Sequence, residues 1–186
     1  INKVFGGRQV LFGIDISVST GAVTAVVGPS GSGKSTLLGI LGGLVRADGG
    51  TVTLVDEGIP RKLVRNIVWV PQGSNSLSHR TVLDNAALGG LARGQKRDCA
   101  EQRARADLAV VGLDDVVSSR ADQLSGGELQ RLAFARALGT DAPFIFADEP
   151  TGNLDALTTQ RILGCLGAIS SAGRGVLVAT HDQAVL

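Results

Sequence analysis

The run Gly28-Pro29-Ser30-Gly31-Ser32-Gly33-Lys34-Ser35 fills the pattern G-x-x-x-x-G-K-[ST] without a gap. Before it, Ala22-Val23-Thr24-Ala25-Val26-Val27 is short and apolar, as a buried strand is. After it, Thr36-Leu37-Leu38-Gly39-Ile40-Leu41 reads as the start of a helix, so the glycines lie between a strand and a helix, the context this pattern needs. Glycines admit positive φ and let backbone N–H groups close around phosphates, while the helix N-terminus adds partial positive charge. In that geometry Lys34 reaches the β- and γ-phosphates of a nucleoside triphosphate, and the Ser35 hydroxyl holds Mg²⁺.

The rest of the chain reads as one α/β domain around that loop. Its 186 residues are 44% apolar, enough for a sizeable core. Val10 to Val18 alternates loosely, as a half-exposed strand does, and Thr51 to Val55 and Asn66 to Val70 read as further strands, the last stopped by Pro71. From about Thr81 to Val111 the chain turns to Ala, Leu, Arg and Gln, which predicts a helical insertion. The last third alternates again: a helix from about Gly127 to Leu138, a strand Phe144 to Ala147, a helix from about Leu157 to Ile169 and a strand Val176 to Ala179. Strands apolar on both faces imply a parallel sheet covered by helices. The expectation is therefore a P-loop NTPase core with a mainly parallel sheet, a helical subdomain over about residues 73–138 and antiparallel β elements near the N-terminus.

Charge and cysteine content narrow the partners. A formal net charge of +1 provides no global field for gathering nucleic acid. Arg93, Lys96, Arg97, Arg103 and Arg105 cluster in the insertion, but with Asp98, Glu101 and Asp107 among them they read as a solvated helix face. Cys99 and Cys165 lack metal-site spacing and fit a reducing compartment. No stretch approaches the roughly 20 apolar residues of a membrane span. The chain opens at Ile1 without Met or a signal-peptide pattern and reads as trimmed.

Further motifs supply the chemistry. Phe144-Ile145-Phe146-Ala147-Asp148-Glu149 is an apolar strand ending in two carboxylates. Asp148, at the strand end, is placed to serve Mg²⁺, whereas Glu149 points elsewhere and polarises the attacking water. Leu124-Ser125-Gly126-Gly127-Glu128 opens a helix with small residues, offering either an ordinary N-cap or a hydroxyl and free N–H groups for an anion.

Together Gly28 to Ser35, Gln72, Leu124 to Glu128, Asp148-Glu149, Asn153-Leu154-Asp155 and His181 resemble the ordered motifs of an ATP-binding cassette ATPase domain, from Phe5 to His181. The wording from Ala147 to Asp155 is also similar to the subgroup serving lipoprotein release, macrolide or peptide export and cell division. The resemblance implies ATP and Mg²⁺ as ligands. Glu149, His181 and Gln72 are then the catalytic group, and Ser35, Gln72 and Asp148 serve the metal. Gly28, Pro29, Ser30, Gly31, Ser32, Gly33, Lys34, Ser35 and Thr36 hold the nucleotide, with Ser125, Gly126, Gly127 and Asp155 completing it at a dimer seam. Phe5 falls where the family has an aromatic stacking on adenine; read alone, it is equally a buried strand-edge aromatic. Asp155 alone is also a plain helix N-cap.

By the same resemblance, ATP lies between paired domains, and closure and release of a homo- or heterodimer drive integral membrane transporter subunits. The chain would then sit peripherally on the cytoplasmic side of the membrane, with no nucleic acid partner. The alternative is a soluble cassette ATPase acting on DNA or ribosomes. Family members continue on both sides of this chain, so truncation at both ends is expected.

Overall fold

The computed structural model describes residues 1–56, 59–61, 66–71, 73, 75–152 and 154–181. A short antiparallel hairpin comes first, β1 (Lys3–Phe5) with β2 (Arg8–Leu11). β3 (Val23–Val27) leads through the glycine turn into α1 (Lys34–Leu41). A second antiparallel pair follows, β4 (Leu54–Asp56) with β5 (Ile59–Arg61), and then β6 (Ile67–Val70). The helices α2 (Val82–Ala92), α3 (Arg97–Val110) and α4 (Gly126–Leu138) intervene before β7 (Phe144–Asp148), α5 (Ala156–Ser171) and β8 (Gly175–Thr180).

The main sheet has the order β3-β8-β7-β6, and its strand pairs are all parallel. Alternation along its central strands splits the core into two layers. Ile145, Ala147, Val176 and Val178 pack with α4 and α5 on one face, while Phe146, Leu177 and Ala179 pack with α1 on the other. Register then sets the site. Val27 pairs with Thr180 and Asp148 with Ala179, so the loops leaving β3, β7 and β8 emerge together at the carboxyl end of the sheet, where such sheets bind ligands.

Three strand expectations need adjustment. β2 ends at Leu11 and residues 12–18 form no strand, because Gly13, at φ 58, turns the chain and donates to Asn2 Oδ1 at 2.7 Å. The strand expected from Thr51 begins only at Leu54, where Arg61 stands opposite. β3 reads as a buried strand but lies at the sheet edge among the described residues, leaving Val23 and Val27 40% and 37% exposed.

The basic residues of the insertion, Arg93, Lys96, Arg97, Arg103 and Arg105, are exposed as a solvated helix face requires, but one acid among them is not. Asp107 is buried, with Arg103 Nε 3.1 Å from it, and Asp141 pairs with Arg93, Arg103 and Arg174. These bonds tie α2 and α3 to the segment just before β7.

Candidate active site

The glycine turn is rooted at the sheet. Gly28 N–H donates to Thr180 O at 3.2 Å, and Ser32 N–H to Pro29 O at 3.2 Å. Gly33 caps α1 at φ 96, and a Cβ there would stand 2.9 Å from Val10 Cγ1 and 3.0 Å from Leu11 Cδ2. Only glycine allows both that φ and the close seating of the β1–β2 hairpin. No side-chain bond caps α1, so its first-turn N–H groups are suited to an anion. Ser35 is exposed and Thr36 half-buried in that turn.

Lys34 is 8% exposed, and its ammonium donates to Gly28 O at 2.8 Å and Pro29 O at 3.2 Å. It also lies 3.3 Å from Glu149 Oε1. Glu149 follows β7 at φ 46, a left-handed conformation unusual outside glycine. Its N–H still donates to Ala179 O at 2.8 Å, so the backbone stays on the sheet while the side chain turns away from Asp148. Glu149 Oε2 lies 2.9 Å from His181 Nδ1 and accepts the His181 N–H at 3.2 Å. Burial pushes the Glu149 carboxyl up, but the His181 hydrogen bonds and Lys34 outweigh it and hold the group below its ordinary range. Glu149 is therefore an anion at neutral pH, wedged between a cation and a histidine.

Asp148 Oδ1 is buried with no hydrogen-bond partner among the described residues. An orphaned carboxylate oxygen at a strand end beside a phosphate-binding turn suits Mg²⁺, which takes one or two carboxylates together with substrate phosphates. The described residues contain no cluster of His, Cys, Asp and Glu that could hold a metal unaided.

Ser125 is the N-cap of α4. Its Oγ lies 2.6 Å from Glu128 Oε2, and the same oxygen accepts the Ser125 N–H at 2.8 Å. These bonds from Ser125 hold the Glu128 carboxyl below its ordinary range. The structure thus shows the N-cap reading of this segment, with Ser125 itself exposed at the helix N-terminus. Gly126 is exposed beside it. Gly127 is buried, and a Cβ there would overlap the methyl of Thr158. Asp155 is likewise a cap, accepting from Thr158 N at 2.9 Å and Thr158 Oγ1 at 2.7 Å.

Phe5 is 49% exposed at the end of β1, which removes the buried-aromatic alternative. Gln72 and Asn153 lie outside the described residues. Within them, the structure brings Lys34, Glu149 and His181 into contact and sets Ser125, Gly127 and Asp155 together at the starts of α4 and α5.

Several contributors escaped sequence reasoning. Thr158, which makes Gly127 necessary, gives no local signal 31 positions away. Arg136, in the last turn of α4, donates to Asn75 O at 3.0 Å and Asn75 Oδ1 at 2.7 Å, linking α4 to the loop after β6. Lys3, two residues before Phe5, carries no sequence signal for its burial, which depends on Asp48.

Comparison with known proteins gives the same picture. The ABC transporter family matches residues 11–152. The chain is 43% identical to the lipoprotein-releasing system ATP-binding protein LolD of Hyphomonas neptunium, over 97% of this chain and 83% of that one. It is 41% identical to the macrolide export ATP-binding/permease protein MacB 1/2 of Paracoccus denitrificans, over 97% of this chain but 28% of that longer one. Its structure is similar to the dimeric structure of MJ0796, a bacterial ABC transporter cassette, with a TM-score of 0.80 and 31% identity over 99% of this chain and 86% of that chain. A post-hydrolysis dimer of the same cassette bound to ADP and Pi matches equally, with a TM-score of 0.80. The phosphate-loop geometry, the sheet and the family match lead to one conclusion: the chain belongs to the ABC transporter family.

Proposed function

We propose that ATP is held by residues 28–36 of one chain and capped by Ser125, Gly126 and Gly127 of its dimer partner, with Glu149 as the general base. As a family member the chain is an ATP-binding and ATP-hydrolysing subunit that powers a membrane transporter by nucleotide-driven dimer closure. The observation that carries the residue roles is the contact of Glu149 with both Lys34 and His181 at the mouth of the glycine turn. Lys34 neutralises charge on the β- and γ-phosphates. Glu149, ionised at neutral pH, takes the proton of the attacking water, and His181 orients that carboxylate and contacts the γ-phosphate. Ser35, Asp148 and Gln72 would hold Mg²⁺, which when bound neutralises charge on the phosphoryl oxygens.

Closing the pair excludes water and strengthens each charge interaction around the γ-phosphate. Asp155, at the start of α5, belongs to the seam. The single ATPase domain carries its helical subdomain over about residues 73–138. Through Gln72 and that subdomain the cycle is passed to integral membrane transporter subunits, and the Arg136–Asn75 link supports such a route. No helix among the described residues is long and apolar enough to cross a membrane. The chain would act peripherally, on the cytoplasmic side, with no nucleic acid partner.

Paired variants test these roles. Lys34→Ala should abolish ATPase activity and weaken nucleotide binding, and normal turnover would remove the assignment of the loop. Glu149→Gln should keep ATP bound and accumulate the closed dimer, with hydrolysis slowed about 10²- to 10⁴-fold, the usual contribution of a general base. Parental turnover in that variant would take the role from Glu149.

A further inference from the structure

Lys3 is 9% exposed, unusual for a lysine on a three-residue strand of a surface hairpin. Its ammonium is fixed from two sides: Asp48 Oδ1 lies 3.1 Å away, and the centroid of the Phe5 ring 4.9 Å away. Asp48 is itself pinned, since its second oxygen accepts the Val4 N–H at 2.7 Å. Lys3 and Phe5 are two apart on β1, and although the pairing with β2 shifts register between Lys3 and Val4, the ammonium still lies over the ring. A cation within about 6 Å of a ring centroid is attracted by the ring's quadrupole.

The contact has two consequences for Phe5. A half-exposed phenyl ring on a short strand would otherwise sample several rotamers, and the ammonium selects one. The same ammonium covers one face of the ring, so a stacking partner must take the other, where electron density drawn toward the cation lessens repulsion between stacked π systems. The hairpin carrying the pair is seated on the glycine turn, with Val10 and Leu11 against Gly33. The ring is thereby tied to the loop assigned to the triphosphate.

We propose that Lys3 is a positioning residue for base recognition, holding Phe5 by a cation–π contact so that one ring face is presented to the adenine of ATP. The inference rests on Phe5 being the stacking aromatic. Asp48 completes the device by holding both the ammonium and the strand backbone.

Affinities for Mg-ATP and for inorganic tripolyphosphate, which has no base, test it by calorimetry on the intact protein. Phe5→Ala should weaken ATP binding by about 5- to 150-fold, the range for losing one stacked base, and leave tripolyphosphate unchanged. Lys3→Met keeps the apolar stem but loses the charge. It should weaken ATP about 2- to 5-fold, leave tripolyphosphate unchanged, and add no further loss in the Phe5→Ala background. Lys3→Arg should restore parental affinity.

If Phe5→Ala weakens ATP while Lys3→Met does not, the Lys3 inference falls and the stacking role of Phe5 survives. Equal loss of ATP and tripolyphosphate in Lys3→Met would show that Lys3 merely holds the hairpin on the loop, which also overturns it. Unchanged ATP affinity in Phe5→Ala would remove the stacking reading and this inference together.

Discussion

Alanine at position 127 adds one methyl where two helix starts touch. Gly127 lies in the first turn of α4, and its added Cβ would overlap Thr158 Cγ2, with Thr158 Cβ at 3.4 Å and Oγ1 at 3.5 Å. Thr158 cannot simply swing aside, because its hydroxyl donates to Asp155 Oδ2 at 2.7 Å and turning χ1 would break that bond. Overpacking of this kind costs about 1–3 kcal/mol, while replacing glycine in a helix returns at most about 1 kcal/mol. Overlap with Thr158 Cγ2 this deep belongs at the upper end of that range, so the net loss for Gly127→Ala is about 2 kcal/mol, or about 4–8 °C in Tm for a domain of this size.

Thr158→Ser removes the offending methyl and keeps the hydroxyl that meets Asp155. In that background Gly127→Ala should become neutral or stabilising, because only the helix-propensity gain remains. Thermal unfolding of the parent, both single variants and the double variant measures the coupling directly. The same sign for Gly127→Ala in both backgrounds would refute the claim that Thr158 is what excludes a side chain at 127.

Ser125→Ala removes the α4 cap and should cost about 1 kcal/mol, seen as a lower urea midpoint; an unchanged midpoint would show that Glu128 alone caps the helix. Hydrogen bonds from Thr81, aided by Arg97, hold Asp84 below the ordinary carboxylate range despite some burial. Its stabilisation is complete above the unfolded value and lost as pH falls through the folded one, so Asp84→Asn should destabilise at pH 7 and match the parent in acid. Asp107 carries the opposite sign: burial raises it against the pull of Arg103, and Oδ2 has no partner among the described residues. Its contribution is present below the unfolded value and lost as pH rises through the folded one. Asp107→Asn should therefore be at least as stable as the parent at pH 7, with an advantage that shrinks on acidification in equilibrium unfolding.

Legibility followed distance along the chain. The glycine turn, both capping segments and the strand ending in Asp148-Glu149 were readable because each is a contiguous run whose backbone geometry makes the feature. Edge position was not: β3 is as apolar as a buried strand, and only the observed sheet order puts it at the edge among the described residues. Asp107 had the composition of a solvated helix face, and packing of α3 against its neighbours decided that it is buried.

The amino-acid sequence by itself determined the phosphate-binding turn, the order of motifs and the α/β class, because glycine placement, apolar period and helix caps act within a few residues. Tertiary structure alone decided that Glu149 meets Lys34 and His181, and that Thr158 closes the space at Gly127. The reason is register: parallel pairing of β3, β8 and β7 aligns strand ends separated by long stretches of chain, and no local pattern encodes that alignment.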